Sequence, residues 1–402
     1  MSLPRLLAIM GSGETSPTMV KTHRSMLARV EPPAVLLDTP FGFQENADDI
    51  AAKAVEYFRE SVGASISVAS VRTADGADPL AYEAVRTAGY VFAGPGSPSY
   101  ALRQWRDSPV PGLLHDKLRS GGCIVFASAA ALTLGLVTVP VYEVYKVGEE
   151  PRWLEGLDLL GEAGLRAAVI PHFNNAEGGN HDTRYCYLGE RRLRLLETDL
   201  PDDAFVLGVD EHTGLVLDLD ESTAAVVGLG GVTVRRGGQS AVVPTGSVVG
   251  IEELAGMAST SAASSSSSAA PAAATREAPA AAPAASPLLA RVAELEAEFG
   301  RGEIGARSVL ALEEELVAWS RDTLQSDEMD RARGALRSMI ARLAVPDRTP
   351  IVAPFVEALL VQRAAAREAG RWADADAVRD ALAGLGVEAR DSPQGTTWRL
   401  LS

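Results

Sequence analysis

The chain has 402 residues, 47% of them apolar, and a formal net charge of −16, which allows two or three domains with cores of their own. Such acidity disfavours a sequence-independent grip on phosphates and suits a ligand that carries cationic groups. No apolar run is long enough to cross a bilayer, and the start MSLPRLLAIMGSGE turns polar too soon for a signal peptide, so a cytoplasmic protein without a membrane role is expected.

In chain order, the β-rich runs LLAIMG, AVLLDT, ISVASV, YVFAGP and CIVFAS are each followed by a helical pattern. That rhythm predicts an α/β fold whose mostly parallel sheet is doubly wound, with helices on both faces, over residues 1–254. The later runs AAVI, AFVLGV, GLVLDL and TAAVVG sit closer together and are expected as strands added near one edge. Residues 255–287 collapse to alanine, serine and proline, a linker composition with nothing to bury. Helical spacing returns at Val309, Leu312, Leu316 and Trp319 and again at Leu336, Ile340 and Leu343, which predicts a helical hairpin over 288–345. In the last piece, 346–402, Thr349 before Pro350 marks a helix start, and Gly370 and Gly386 mark stops. A hairpin pattern, VEARDSPQGTTWRLL, then closes a small, mainly α domain. Cys123 and Cys186, the only two cysteines, are expected to be reduced thiols.

In CIVFASAAALTLG a strand pattern runs into an alanine-rich helical one with a single hydroxyl, Ser128, at the joint. Reactive groups in open α/β sheets gather beyond the carboxyl ends of strands, and small neighbours allow a turn that lifts a serine above the sheet. The same position suits a serine that merely caps a helix. A nucleophile needs a base, and of the five histidines His23 and His115 are expected on solvated helix faces. His172 instead follows AAVI and opens the polar loop HFNNAEGGNHDTR, and Glu211 follows AFVLGV. A triad of Ser128, His172 and Glu211 is therefore open to the chain. GSGETS followed by Asp38 hints at a dinucleotide fingerprint, but Ser16 stands at the third glycine position, so a tight turn is the simpler reading. His172, His181, Asp182, Glu211 and His212 lack a metal-site spacing. Neither a metal nor a cofactor is expected.

With these pieces in place, residues 5–250 resemble the serine peptidases of the dipeptidase E and cyanophycinase family, which share the flavodoxin-like fold of class I glutamine amidotransferases. The resemblance rests on GSGE, FAGPGSPSYAL, FASAAA, PHFNNA and GVDEHTGL. It implies Ser128 as nucleophile, His172 as base, Glu211 as orienting acid, and an oxyanion hole at Ala129 and the Gly94–Gly96 turn. It further implies substrate contacts by Arg184 and Asn175, with Arg191 and Arg192 as alternatives to Arg184, and a substrate that is a peptide or isopeptide with an aspartyl unit. Relatives with this fold are monomers or dimers, so a monomer or homodimer is expected. One departure stands out: where the family reads G-x-S-A-G-A, this chain has Phe126 and Ala130 at the glycine positions. The phenylalanine places a ring where strand and helix should approach closely, which raises a catalytically inactive, ligand-binding scaffold as the rival reading. The amidotransferases carry cysteine at the elbow, so serine there argues against glutamine-amide transfer.

The segment FVEALLVQRAAAREAGRWADADAVRDALAGLGVEARDSPQGTTW resembles the C-terminal module of bacterial cysteinyl-tRNA synthetases. That likeness implies RNA contacts at Trp398, Arg399, Asp391 and Gln394, and a tRNA-associated adaptor as a further reading. No synthetase nucleotide-binding domain or zinc-type cysteine cluster accompanies it, so this sequence by itself is not expected to charge tRNA. The module is not net basic, and the alternative is that its aspartate, arginine and tryptophan hold a small fold together.

Overall fold

The computed structural model describes residues 3–176, 181–263, 286–301, 305–322, 327–344, 349–392 and 395–400. Strands β1 (Arg5–Met10), β2 (Ala34–Leu37), β3 (Ser67–Ala69), β4 (Tyr90–Ala93) and β5 (Gly122–Ala127) are all parallel, in the spatial order β1-β5-β4-β2-β3. Alternate residues of each strand feed opposite cores, as a two-residue period requires. Leu7, Ile9, Val91, Ile124 and Phe126 enter one; Leu6, Ala8, Met10, Phe92, Cys123 and Val125 enter the other. These side chains are almost fully buried, and each large one contributes about 1.5–3 kcal/mol by leaving water. The α/β, doubly wound class read from the sequence is the fold observed.

The later strands are β6 (Val137–Thr138), β7 (Leu154–Glu155), β8 (Ala167–Ile170), β9 (Phe205–Val209), β10 (Thr213–Asp218), β11 (Thr223–Gly228), β12 (Gly231–Arg236), β13 (Gln239–Pro244) and β14 (Val248–Gly250). They do not all join one edge. β10, β11 and β14 extend the first sheet antiparallel beyond β1, whereas β13-β12-β9-β8-β6-β7 form a second sheet. AAVI and AFVLGV, expected at the edge of the first sheet, thus lie in the second as parallel neighbours β8 and β9. The chain changes sheet within three residues, Asp210–His212. His212 adopts a left-handed φ of +52° at this corner, and the Asp210 carboxylate accepts the Gly231 N–H (2.9 Å).

The helix Ile251–Ala263 runs into the stretch expected to be a linker, because Leu254 and Ala258, one helical turn apart, are buried against the core. Much of the remaining alanine, serine and proline stretch lies outside the described residues. Helices Pro287–Gly300, Gly305–Trp319 and Asp327–Ala344 follow. Chain contacts define two compact units, Met1–Ala293 with Ala311–Arg333, and Glu294–Leu310 with Gly334–Ser402. In the second, helices Thr349–Glu368 and Trp372–Gly384 pack with the hairpin β15 (Val387–Ser392) and β16 (Gly395–Leu400) around Val356, Leu382 and Val387.

Both cysteines are free and buried. His23, expected on a solvated face, is fully buried instead. Its Nε2–H donates to the Glu14 carbonyl (2.7 Å), and its Nδ1 accepts from the Tyr90 hydroxyl (2.6 Å). Burial pushes its pKa down to about 4, so the ring is neutral. His115 is half-buried beside the Glu162 carboxylate (2.8 Å).

Candidate active site

β5 ends at Ala127 in extended conformation, and the next residue, Ser128, takes φ +50° before the helix Ser128–Leu132 begins. A left-handed non-glycine residue costs about 1–2 kcal/mol, and such strain concentrates at functional sites. Here it turns the hydroxyl out of the strand's path toward the ends of β8 and β9. Ser128 Oγ lies 3.0 Å from His172 Nε2, and His172 Nδ1 lies 3.0 Å from Glu211 Oε1. A carboxylate only accepts, so Nδ1 carries the proton and Nε2 is left to accept from the serine. Burial pushes the Glu211 pKa up, but the hydrogen bond from His172, the imidazole's charge, Asn175 and His212 together hold it below the ordinary carboxylate range.

Four residues of PHFNNA, His172 to Asn175, have a structural task. His172 itself is left-handed (φ +48°), and its N–H donates to Gly11 O, tying the end of β8 to the end of β1. The Phe173 ring lies over Gly208, where an added Cβ would sit 2.4 Å from it, and its N–H donates to Val209 O (3.1 Å). Asn174 Oδ1 accepts the Glu211 N–H (2.8 Å), and Asn175 Nδ2 donates to Glu211 Oε1 (3.2 Å). Asn175, expected to contact substrate, is buried and supports the acid instead.

The Gly94–Gly96 turn closes the other side. Gly96 has φ +136° and passes so near Pro40 that a Cβ would meet its carbonyl oxygen at 2.0 Å, a position only glycine can hold. Gly94 O accepts the Ala130 N–H (3.2 Å), which fixes the turn to the short helix. Gly96, Ser128, Ala129 and His172 line one cavity of about 210 Å³. The Ala129 N–H, in the first turn of its helix, has no intrahelical carbonyl to bond.

The ring of Phe126 does not enter this space. It is fully buried and stacked on Trp105, with centroids 5.5 Å apart, inside the core with Ala130 and Ala131. Ala130 is not among the left-handed residues, so its methyl group adds no backbone strain. Arg184 is engaged elsewhere: both arms of its guanidinium grip Asp182 (2.9 Å each), and that hydrogen bonding, against some burial, holds the Asp182 pKa down to about 2. It does not line the cavity. GSGE forms a turn in which Gly13 passes against the His212 ring, and Asp38 is spent on Ser70, Val71 and Arg72, so neither makes a nucleotide cradle. Among the described residues, no group of three metal-type ligands occurs and no helix is long and apolar enough to cross a membrane.

Two features escaped the sequence. Glu14 is fully buried beside Gly94, and neither of its carboxyl oxygens has a hydrogen-bond partner among the described residues. Tyr142, Tyr145, Lys146, Cys186 and Tyr187 line the serine's cavity. Burial pushes the Cys186 thiol up to about 12, so it stays protonated and non-nucleophilic.

In the C-terminal unit, Asp391 accepts both arms of Arg363 (2.8 Å each), Arg367 (2.9 Å) and Thr396 (2.7 Å), and the first of these most strongly depresses its pKa. Arg399 is bonded to Glu388, and Trp398 is half-buried against the small core. Asp391 and Trp398 are thus engaged with the helices and core of the unit, Arg399 pairs with Glu388 while its side chain stays exposed, and Gln394 lies outside the described residues. The exposed indole is Trp372, 61% accessible, with the Arg367 guanidinium 5.9 Å from its ring.

The first unit therefore has an α/β sheet with a serine, histidine and glutamate converging at strand ends, and the second is a helical pair with a hairpin. The first fold is that of a crystallised peptidase from an acI-B1 Actinobacterium, with a TM-score of 0.51 and 22% identity, covering 62% of this chain and 98% of that one. A putative peptidase E protein from Listeria monocytogenes EGD-e overlaps at a TM-score of 0.37 and 12% identity, covering 60% of this chain and 98% of that one. Residues 349–399 match the family described as the cysteinyl-tRNA ligase anticodon binding domain. This chain is 49% identical over 70 residues to a cysteine–tRNA ligase of Anaeromyxobacter sp. (strain Fw109-5), covering 17% of this chain and 14% of that one. It is 59% identical over 44 residues to that of Salmonella agona (strain SL483), covering 11% and 10%. The chain thus spans only 14% and 10% of the length of these curated relatives. The N-terminal likeness is one of fold, and the C-terminal likeness is one of sequence over residues 349–399.

Proposed function

We propose that the α/β unit is a serine hydrolase that cleaves a peptide or isopeptide bond next to an aspartyl unit. Ser128 Oγ attacks the carbonyl carbon while His172 Nε2 takes its proton. Glu211 remains ionised and holds the imidazolium, and the oxyanion is met by the N–H of Ala129 and one from the Gly94–Gly96 turn. On collapse, His172 returns the proton to the leaving amine, and the same base then activates water to release the acyl group. The observation that carries this reading is the unbroken hydrogen-bonded chain from a left-handed Ser128 through His172 to Glu211. The alternative of an inactive scaffold rested on Phe126, whose ring is accommodated in the core.

A fluorophosphonate probe tests it: mass analysis of the folded chain is expected to find the adduct on Ser128, and its absence overturns the reading. Glu211→Gln is expected to leave the fold intact and slow labelling by about a thousandfold, because the amide favours the wrong imidazole tautomer.

A second reading concerns the C-terminal unit. The match of residues 349–399 and the exposed Trp372 beside Arg367 favour contact with unpaired tRNA bases. Contact with tRNA would be made in the cytoplasm, the compartment we propose for the chain.

A further inference from the structure

The cavity beside Ser128 holds groups that the hydrolytic step does not use. Tyr142 and Lys146 are four residues apart at the wide turn Glu143–Val147, and the Lys146 ammonium lies 5.7 Å from the centre of the Tyr142 ring. Across from them Tyr187 stacks on Tyr145, with centroids 4.9 Å apart and planes 27° from parallel. Tyr187 ends a run of three consecutive left-handed residues, Tyr185, Cys186 and Tyr187, with φ of +61°, +55° and +65°. Such a run costs about 1–2 kcal/mol per residue. It is tied to the catalytic geometry, since the Cys186 N–H donates to the His172 carbonyl (3.2 Å).

Lys146 is a cation without an anion. Of the acids nearest it in sequence, Glu143 turns one oxygen to the Ser99 hydroxyl and does not line the cavity, Glu149 pairs with Arg152, and Glu150 does not line the cavity either. No carboxylate among the described residues pairs with Lys146, in a chain whose net charge is −16. An ammonium held on an aromatic face, inside the cavity that contains the nucleophile, has one obvious counterpart, which is a negative group on the bound molecule. Tyr142 and Lys146 are exposed at the mouth of this cavity, so the ammonium is open to an incoming carboxylate. Arg184, the clamp expected from sequence, is already bound to Asp182.

We propose that Lys146 anchors a substrate carboxylate in this aromatic-walled cavity, so that the chain selects peptides bearing a carboxylate close to the scissile carbonyl. The proposal rests on reading Ser128 as the nucleophile. The carboxylate comes either from the side chain of an aspartyl residue or from the peptide's own C-terminus; both present the same chemistry.

Binding separates the two readings, because it does not require turnover. Full-length chain carrying Ser128→Ala is titrated calorimetrically with Asp-Leu, Asn-Leu and Asp-Leu amide, with and without Lys146→Ala or Lys146→Arg. Lys146→Ala is expected to weaken Asp-Leu binding by about 10- to 100-fold, the worth of a charge-assisted hydrogen bond, and Lys146→Arg to retain most of it. Loss of the Lys146 effect with Asn-Leu identifies the side-chain carboxylate, and loss with the C-terminal amide identifies the terminal one; either supports the proposal. Equal affinity with and without Lys146, an equal decline for all three peptides, or no binding of any of them at millimolar concentration overturns it. If fluorophosphonate fails to label Ser128 while the Lys146-dependent preference persists, the hydrolase reading falls and the carboxylate site stands.

Discussion

Glu14 sits fully buried against Gly94, with neither carboxyl oxygen bonded among the described residues. Burial, with repulsion from Asp322 added, raises its pKa to about 7, from an ordinary value of 4.5. Asp322 itself accepts from Thr15 Oγ1 at 3.0 Å. The sign of the linkage follows. Between about pH 4.5 and 7 the folded chain keeps a proton that the unfolded chain has released, so stability declines as pH rises through that window and is level above it. The amount is about 3 kcal/mol. Glu14→Gln keeps the shape and removes the titration, so its denaturation midpoint relative to the parent is expected to be higher at pH 8 than at pH 5. A constant offset at the two pH values would show that Glu14 titrates normally. His23, neutral and buried, acts in the opposite sense, costing stability as pH falls from 6.5 toward 4, and it is common to both proteins. Glu14 was visible in GSGE as a letter, but no sequence pattern shows that a carboxyl is sealed without a partner. His172 and Glu211 were legible because polar residues directly after apolar strands must emerge at the sheet's rim.

At the scale of elements, the turn from β5 into its helix shows where sequence reasoning reaches and where it stops. Strand, serine and alanine-rich helix could all be read in CIVFASAAALTLG, because period and residue size are local properties. The fate of the Phe126 ring could not, since the slot that takes it is made by Trp105, on a helix 21 positions earlier, and Trp105 is itself pinned by a hydrogen bond to Thr39 (2.9 Å). The second sheet was hidden for the same reason: β8 and β9 look like any buried strands, and their partners are set by distant segments. Restoring glycine at the two departing positions is therefore expected to have unequal effects. Phe126→Gly removes a stacked, fully buried ring and is expected to cost about 4 kcal/mol or more. Ala130→Gly is expected to cost about 1 kcal/mol, the price of glycine in a helix, and to leave the rate of fluorophosphonate labelling within about twofold. Thermal midpoints and labelling rates of the two variants check this directly. A large gain in labelling from Phe126→Gly would mean that the ring obstructs the site after all.

For the whole molecule, the two compact units carry unrelated chemistry, one built around a strained serine and the other around an arginine–aspartate knot. The knot bears on the RNA reading. Arg363, Arg367 and Asp391 brace the hairpin β15–β16 against the helix Thr349–Glu368, so changing Asp391 is expected to loosen the unit whether or not RNA binds. Trp398 is similarly placed, half-buried on the core with Leu400. Trp372 is different, because an exposed indole contributes little to stability and its loss isolates stacking. If the C-terminal unit grips unpaired bases, Trp372→Ala in the full chain is expected to weaken binding of a tRNA transcript by about 10-fold, within the range of one base–aromatic stack, with the melting temperature unchanged. Trp398→Ala is expected to lower the melting temperature as well as binding. Six arginines of this unit, Arg363, Arg367, Arg371, Arg379, Arg390 and Arg399, already face carboxylates, which reduces the charge offered to phosphates. Affinity is therefore expected to be weak and to depend on salt less steeply than for a basic RNA-binding surface. A filter-binding titration at two salt concentrations measures both quantities. Undiminished retention by Trp372→Ala would remove the stacking role and leave the unit as a brace for its own fold.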